Sequence, residues 1–105
     1  MRFNYKTEFR YFDFDIPTLP DGFVDMSWHN DVSPKFERKY NETDYVTLWV
    51  DYADENRREC GGRQFNLTIQ PNDGENNEDI IYLLETDSWD EMLNKVKELF
   101  NEAKQ

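Results

Sequence analysis

Ile80-Ile81-Tyr82-Leu83-Leu84-Glu85-Thr86-Asp87-Ser88-Trp89-Asp90-Glu91-Met92-Leu93-Asn94-Lys95-Val96-Lys97-Glu98-Leu99-Phe100 decides the fold, because the spacing of its apolar residues changes partway along. From Ile80 to Leu84 every position is apolar, which suits an inner strand covered by a helix. From Trp89 the apolar residues recur as Trp89, Met92, Leu93, Val96, Leu99 and Phe100, the three-and-four spacing of a helix with one apolar stripe. Ser88 with Glu91 three residues later reads as a capping box. Asp87, Asp90 and Glu91 suit the positive end of the helix dipole, with Lys95, Lys97 and Lys104 toward the other end. A helix that is apolar on one side only must lay that side on a sheet, so the strands upstream form the other layer.

Tyr45 to Ala53 is the strongest strand signal. It is rich in β-branched and aromatic residues, with Val46, Leu48, Val50 and Tyr52 facing one way and Tyr45, Thr47 and Trp49 the other, and it belongs at the centre of the sheet. Phe65 to Gln70 alternates in the same way, and the two form an antiparallel hairpin closed at Pro71. Phe12-Asp13-Phe14-Asp15-Ile16 also has a period of two, so residues 2 to 16 are expected as one long strand ended by Pro17, forming a hairpin with a second strand over Phe23 to Asn30. Lys35 to Asp44 is polar enough for a loop or an edge strand carrying Phe36 and Tyr40. The expected fold is α+β: a two-layer domain with an antiparallel meander of about four or five strands and one C-terminal amphipathic helix on one face. The chain is read as a single domain over 1–105, with the sheet within 2–85 and the helix over 88–102.

The totals limit what such a domain can do. A net charge of −11 opposes direct binding to nucleic acid or to an anionic membrane and favours basic partners. Hydrophobic residues make up 37% and aromatic ones 16%, so rings must supply much of the core. One cysteine, Cys60, leaves no internal disulfide, and with His29 the only histidine there is no four-ligand zinc set. With no leader-like N-terminus and no apolar run long enough to span a bilayer, the expected location is cytoplasmic.

Few residues suggest chemistry. His29 and Asp31 near a strand end form the most enzyme-like pair, but no nucleophile or second base completes a triad, so no catalytic residue is assigned and no enzyme is expected. Cys60 beside Arg57, Arg58 and Arg63 has neighbours that favour a thiolate; His29 is the one base that could serve it, as an alternative to His29 with Asp31, and nothing in the sequence brings the two together. Asp73-Gly74-Glu75 lacks the ligand order of a calcium loop, so no metal and no cofactor is expected.

The charge distribution carries the sharper expectation. Between Arg63 and Lys95 there is no Lys or Arg, while Asp73, Glu75, Glu78, Asp79, Glu85, Asp87, Asp90 and Glu91 are all acidic. With Asp13, Asp15, Asp21 and Asp25 these carboxylates can be arrayed to imitate the phosphates of a duplex. In size and acidity alone, without a shared motif, the chain is similar to the small antagonists that phages and mobile elements encode against host nucleases. The expectation is a non-enzymatic protein-binding module, an inhibitor or nucleic-acid mimic in its strongest form. It would dock on a basic or nucleic-acid-binding protein through Asp73, Glu75, Glu78, Asp79, Asp87, Asp90 and Glu91. The alternatives are a structural or scaffold domain, monomeric or homodimeric through the sheet face around Trp49, and a small-ligand binder or enzyme using His29 with Asp31.

Overall fold

The computed structural model describes residues 4–58, 62–71 and 80–101. Five strands follow one another as an antiparallel meander, β1 (Val24–Asp25), β2 (Lys35–Lys39), β3 (Asp44–Val50), β4 (Phe65–Pro71) and β5 (Ile81–Thr86), in that spatial order. Helix α1 (Tyr5–Glu8) precedes them, a 3₁₀ turn (Glu55–Arg57) sits between β3 and β4, and helix α2 (Trp89–Leu99) closes the described chain. The α+β architecture expected from the sequence is the one observed. Strand β3 is the middle strand and pairs along its whole length with β4, from Asp44 opposite Pro71 to Val50 opposite Phe65.

One face of the sheet holds the core. Val46, Leu48 and Val50 are fully buried, and Phe36, Phe65 and Leu67 beside them are nearly so. Helix α2 sets Met92 and Val96 against them. Its N-cap is Ser88, whose side chain accepts from the Glu91 amide, so the sequence signal for the helix start is correct and residues 89–99 form the helix within the expected 88–102.

The N-terminal stretch departs from expectation. Residues 2 to 16 do not add a strand: α1 occupies Tyr5–Glu8, and the described chain from Phe9 to Phe23 pairs with no strand. The alternation is nevertheless real, because Phe12, Phe14 and Ile16 are half-buried against the core cluster while Asp13 and Asp15 are exposed. Period two marks an extended chain with one apolar side; it does not say where the backbone bonds go. Here they go to turns and side chains: Phe12 N and Phe23 N donate to Phe9 O and Pro20 O, and Tyr11 O and Asp21 O accept from Arg57 and Arg38. Ile16 N donates to Tyr5 Oη at 3.2 Å, and rings fasten the segment down through Phe14 on Phe65 (5.8 Å), Phe12 on Tyr52 (5.1 Å) and Tyr5 on Phe36 (6.0 Å). The segment is a strap across the core face, and the sheet begins at Val24.

Three strand assignments change with it. The strand expected over Phe23 to Asn30 shrinks to Val24–Asp25 and pairs with β2. A turn follows it, in which Ser27, fully buried, donates its amide to Asp25 and accepts the Lys35 amide on its hydroxyl. The polar stretch after Lys35 contains an inner strand, β2, between β1 and β3; it tolerates charge because Lys35, Glu37 and Lys39 project to the face away from the core while Phe36 points inward. At its core edge Arg38 stacks on Phe100 at 3.7 Å and crosses Gly22, where φ is +87° and a Cβ would meet Arg38 Cδ at 2.8 Å. Finally, β5 is an outer strand, not an inner one. A bulge against β4 leaves Leu83 without a partner, so Leu83 and Leu84 both pack on the core, which is why this run is apolar without alternation.

Candidate functional site

The acidic residues expected to bind a partner divide into three groups. Asp73, Glu75, Glu78 and Asp79 lie outside the described residues, as does Cys60. Asp87 and Glu91 have internal duties. Asp87 accepts from the Gln64 amide at 2.8 Å and pairs with Arg63 at 3.0 Å and Arg58 at 3.4 Å, which ties the chain before β4 to the start of α2. The Gln64 amide and then the Arg63 side chain hold its carboxyl below the ordinary 3.8. Glu91 completes the cap through an intermediary: Ser88 N donates to Thr86 Oγ1 at 3.0 Å, and the Thr86 hydroxyl donates to Glu91 Oε1. The third group is Asp90, joined by Glu85; both are exposed, and neither makes an ion pair or hydrogen bond among the described residues.

The shift on Asp87 fixes a pH dependence. A carboxyl whose pKa is lowered by folding contributes stability above its unfolded value, and that contribution is lost as pH falls through the lower folded one. Asp87→Asn should therefore be less stable than the parent near neutrality, and the gap between them should close as pH falls below about 4. Urea midpoints from neutral to acid pH measure this, and a gap independent of pH would contradict the role given to Asp87.

Arg58 organises the neighbouring loop. Its side chain is only 5% exposed and donates from Nε to Tyr52 O (2.7 Å), from Nη1 to Gly62 O (2.8 Å) and from Nη2 to Ala53 O (3.1 Å). Asp13 holds the same loop from the N-terminal strap, accepting the amides of Ala53 and Asp54 at 2.8 and 3.0 Å. Desolvation raises the Asp13 carboxyl, but those amides and Arg57 outweigh it and leave its pKa lowered.

His29 meets Glu8, not Asp31. Glu8 Oε1 lies 3.0 Å from His29 Nδ1 and also accepts the His29 amide at 3.0 Å; the imidazole contact lowers the Glu8 pKa. Asp31 lies 3.7 Å from Lys35 instead. The imidazole is 56% exposed, 4.3 Å from the Trp28 ring, at the rim of an open groove of about 420 Å³ that Tyr11, Tyr52 and Arg57 also line. Such a pair can hold a proton at Nδ1, but among the described residues the imidazole bonds to the Glu8 carboxylate and to no hydroxyl or thiol nucleophile. Nothing in the sequence pointed to Glu8, because α1 brings it there across 21 positions.

The uncovered face of the sheet is the most built surface. Thr47 faces Thr68 and Trp49 faces Asn66, as the alternation of β3 and β4 requires. Trp49 Nε1 donates to Gln70 Oε1 at 3.3 Å, and Thr68 Oγ1 donates to the same oxygen at 3.1 Å. Gln70 stands opposite Tyr45, four pairs along from Trp49, so the indole must lie back along the sheet over the threonine pair. This roof accounts for a fully buried Thr47 and a 3% exposed Thr68 on a face that carries no helix among the described residues. Thr47 Oγ1 has no hydrogen-bond partner among the described residues. Lys35 Nζ sits 5.4 Å from the indole ring. Tyr82, opposite Thr68 and 71% exposed, borders two adjoining depressions of about 340 and 350 Å³ that share Trp49 and Thr68 with it. Comparison with protein families, curated proteins and solved structures finds no match to this chain. Among the described residues no His, Cys, Asp and Glu cluster is arranged to hold a metal, and no helix is long and apolar enough to cross a membrane.

The sequence anticipated Trp49 on this face but not Tyr82. Within Ile80 to Leu84 every position is apolar, so periodicity cannot tell a core residue from an exposed one; only the bulge at Leu83 turns Tyr82 outward.

Proposed function

We propose that this chain is a non-enzymatic protein-binding module that docks a basic partner through the open sheet face at Trp49 and Tyr82 and the carboxylate beside it, Glu85, with the exposed Asp90 at the start of α2 adding to the negative field. The observation that carries the reading is Tyr82 standing 71% exposed next to an indole laid flat over buried threonines, a large rigid apolar contact on an otherwise polar face. Aromatic anchors of this kind, ringed by polar groups that exclude water, concentrate binding energy in interfaces. The acidic balance of the chain supplies the other half: it speeds encounter with cationic surfaces and disfavours anionic ones. The inhibitor or nucleic-acid-mimic form of the proposal needs carboxylates that are free to face a partner. Asp13, Asp25 and Asp87 already bind backbone amides, so mimicry rests on fewer charges than the sequence count suggests.

The test is affinity capture with the full chain, run beside Tyr82→Ala, Trp49→Ala and Glu85→Gln/Asp90→Asn, with thermal melts as a check that each variant is folded. The expected result is a basic protein retained at low salt, weakened roughly 10- to 100-fold by Tyr82→Ala and released as salt rises past about 0.5 M. A partner held equally by all variants, or an acidic partner, would overturn the proposal.

A further inference from the structure

We propose that the partner engages as an added strand: an extended basic segment, alternating Lys or Arg with apolar residues, pairs with the free edge of β5. The inference rests on the basic-partner reading above and names its mode. Strand β5 is an outer strand of the meander, and no other strand pairs with its far side among the described residues. The opposite outer strand, β1, has two residues and offers no comparable template. Sheets usually guard a long edge with Lys, Pro, inward-pointing charge or a bulge. Of these, Ile81-Tyr82-Leu83-Leu84-Glu85-Thr86 has only the bulge at Leu83. It also presents Ile81 at 55% and Tyr82 at 71% exposure.

Charge selects the occupant. Strand β5 lies within the stretch between Arg63 and Lys95 that has eight carboxylates and no cation. Pairing β5 with its counterpart in a second copy would bring two such stretches side by side, each on a chain of net charge −11. A cationic strand meets the opposite situation. Its side chains on the open face would neighbour Glu85 and Tyr82, so a Lys or Arg there gains a carboxylate and an aromatic ring at once. Its side chains on the other face would neighbour Ile81 and Leu84, which favours an apolar residue at alternate positions. Main-chain bonds along the edge supply affinity, and this alternation supplies selectivity.

The probe is a capped peptide of eight residues alternating valine and lysine, titrated into the isotopically labelled full chain while amide hydrogen exchange is followed. Those amides of Ile81–Thr86 that point away from β4 should slow by about tenfold or more. The same peptide with alternate amides N-methylated keeps its charge but cannot complete the ladder, so it should lose that protection, and Glu85→Lys should weaken the parent peptide several-fold. Salt-sensitive binding of both peptides without protection in β5 overturns strand addition and leaves the basic-partner reading standing. Failure to bind the lysine peptide, or equal binding of a valine and glutamate counterpart, overturns both. Protection in β5 that grows with protein concentration alone would assign the edge to a second copy and overturn the cationic occupant.

Discussion

Arg58→Ala is expected to lower the unfolding free energy by about 2–4 kcal/mol, far more than Arg63→Ala. The guanidinium is 5% exposed and holds three carbonyls, those of Tyr52, Ala53 and Gly62, in addition to the Asp87 carboxylate at 3.4 Å. Those carbonyls come from both sides of the loop between β3 and β4, so one side chain substitutes for the hydrogen bonds that a tight hairpin would make. Removing it leaves acceptors that recover water only partly, which sets the size of the loss. Arg58→Lys should rescue little, because one ammonium on a flexible stem cannot reproduce a planar fork directed at three acceptors. Arg63→Ala is the control. Arg63 pairs with the same Asp87 at 3.0 Å, but its side chain is 65% exposed, and an exposed pair is worth about 0–1 kcal/mol. Urea unfolding with an unchanged m-value measures all three. Equal losses at Arg58 and Arg63 would show that the carbonyl network does not hold the loop.

The same network explains why part of the acidity is structural. From Phe9 to Phe23 the chain makes no ladder, and amides in the turns and loops around it need acceptors. Carboxylates provide them: Asp25 for Tyr5 and Ser27, Asp13 for Ala53 and Asp54, Glu8 for His29, Asp87 for Gln64. A sequence count treats these alike with Glu85 and Asp90, which make no such bonds among the described residues. Neutralising acidic residues without regard to this difference would mix loss of fold with loss of binding, which is why the binding variants are confined to Glu85 and Asp90.

What the sequence revealed follows the same division. Strands β3 and β4 and helix α2 were legible because each buries one side of a regular element, so hydrophobic period and backbone bonding agree. In the strap they part company: Phe12, Phe14 and Ile16 alternate as in a strand, but Tyr5 Oη takes the Ile16 amide and the strap's Asp13 accepts from the loop it crosses. Strand β2 was hidden by its polarity, since three of its five residues face the uncovered side. On the candidate site, Trp49 was placed by alternation, whereas Tyr82 depended on a bulge and the pairing of Glu8 with His29 on a helix of four residues, neither of which leaves a periodic trace.

Phe36→Ala is expected to have the largest effect, a loss of about 3–5 kcal/mol. Phe36 is 1% exposed on β2 opposite Leu48, and its ring is also the platform on which Tyr5 stands edge-on at 6.0 Å. Tyr5 in turn contacts Phe12 at 5.9 Å and accepts the Ile16 amide, so this ring is one anchor of the strap, beside Phe14 on Phe65 and Phe12 on Tyr52. Against a total stability of roughly 5–15 kcal/mol for a domain of this size, the loss is a large fraction. A cavity alone does not distinguish Phe36 from Met92, which is fully buried under α2 and should cost about 2–5 kcal/mol as alanine. Coupling does. Tyr5→Ala combined with Phe36→Ala should cost less than the two separately, by about 0.5–1.5 kcal/mol, because the first change already removes part of what the second would lose. Tyr5→Ala combined with Met92→Ala is the comparison: the ring pairs of Tyr5 are with Phe12 and Phe36, so these two losses should come closer to additive. If the Tyr5 and Phe36 losses simply add, the strap is held by its carboxylate and backbone bonds, and the aromatic platform is not what fastens it.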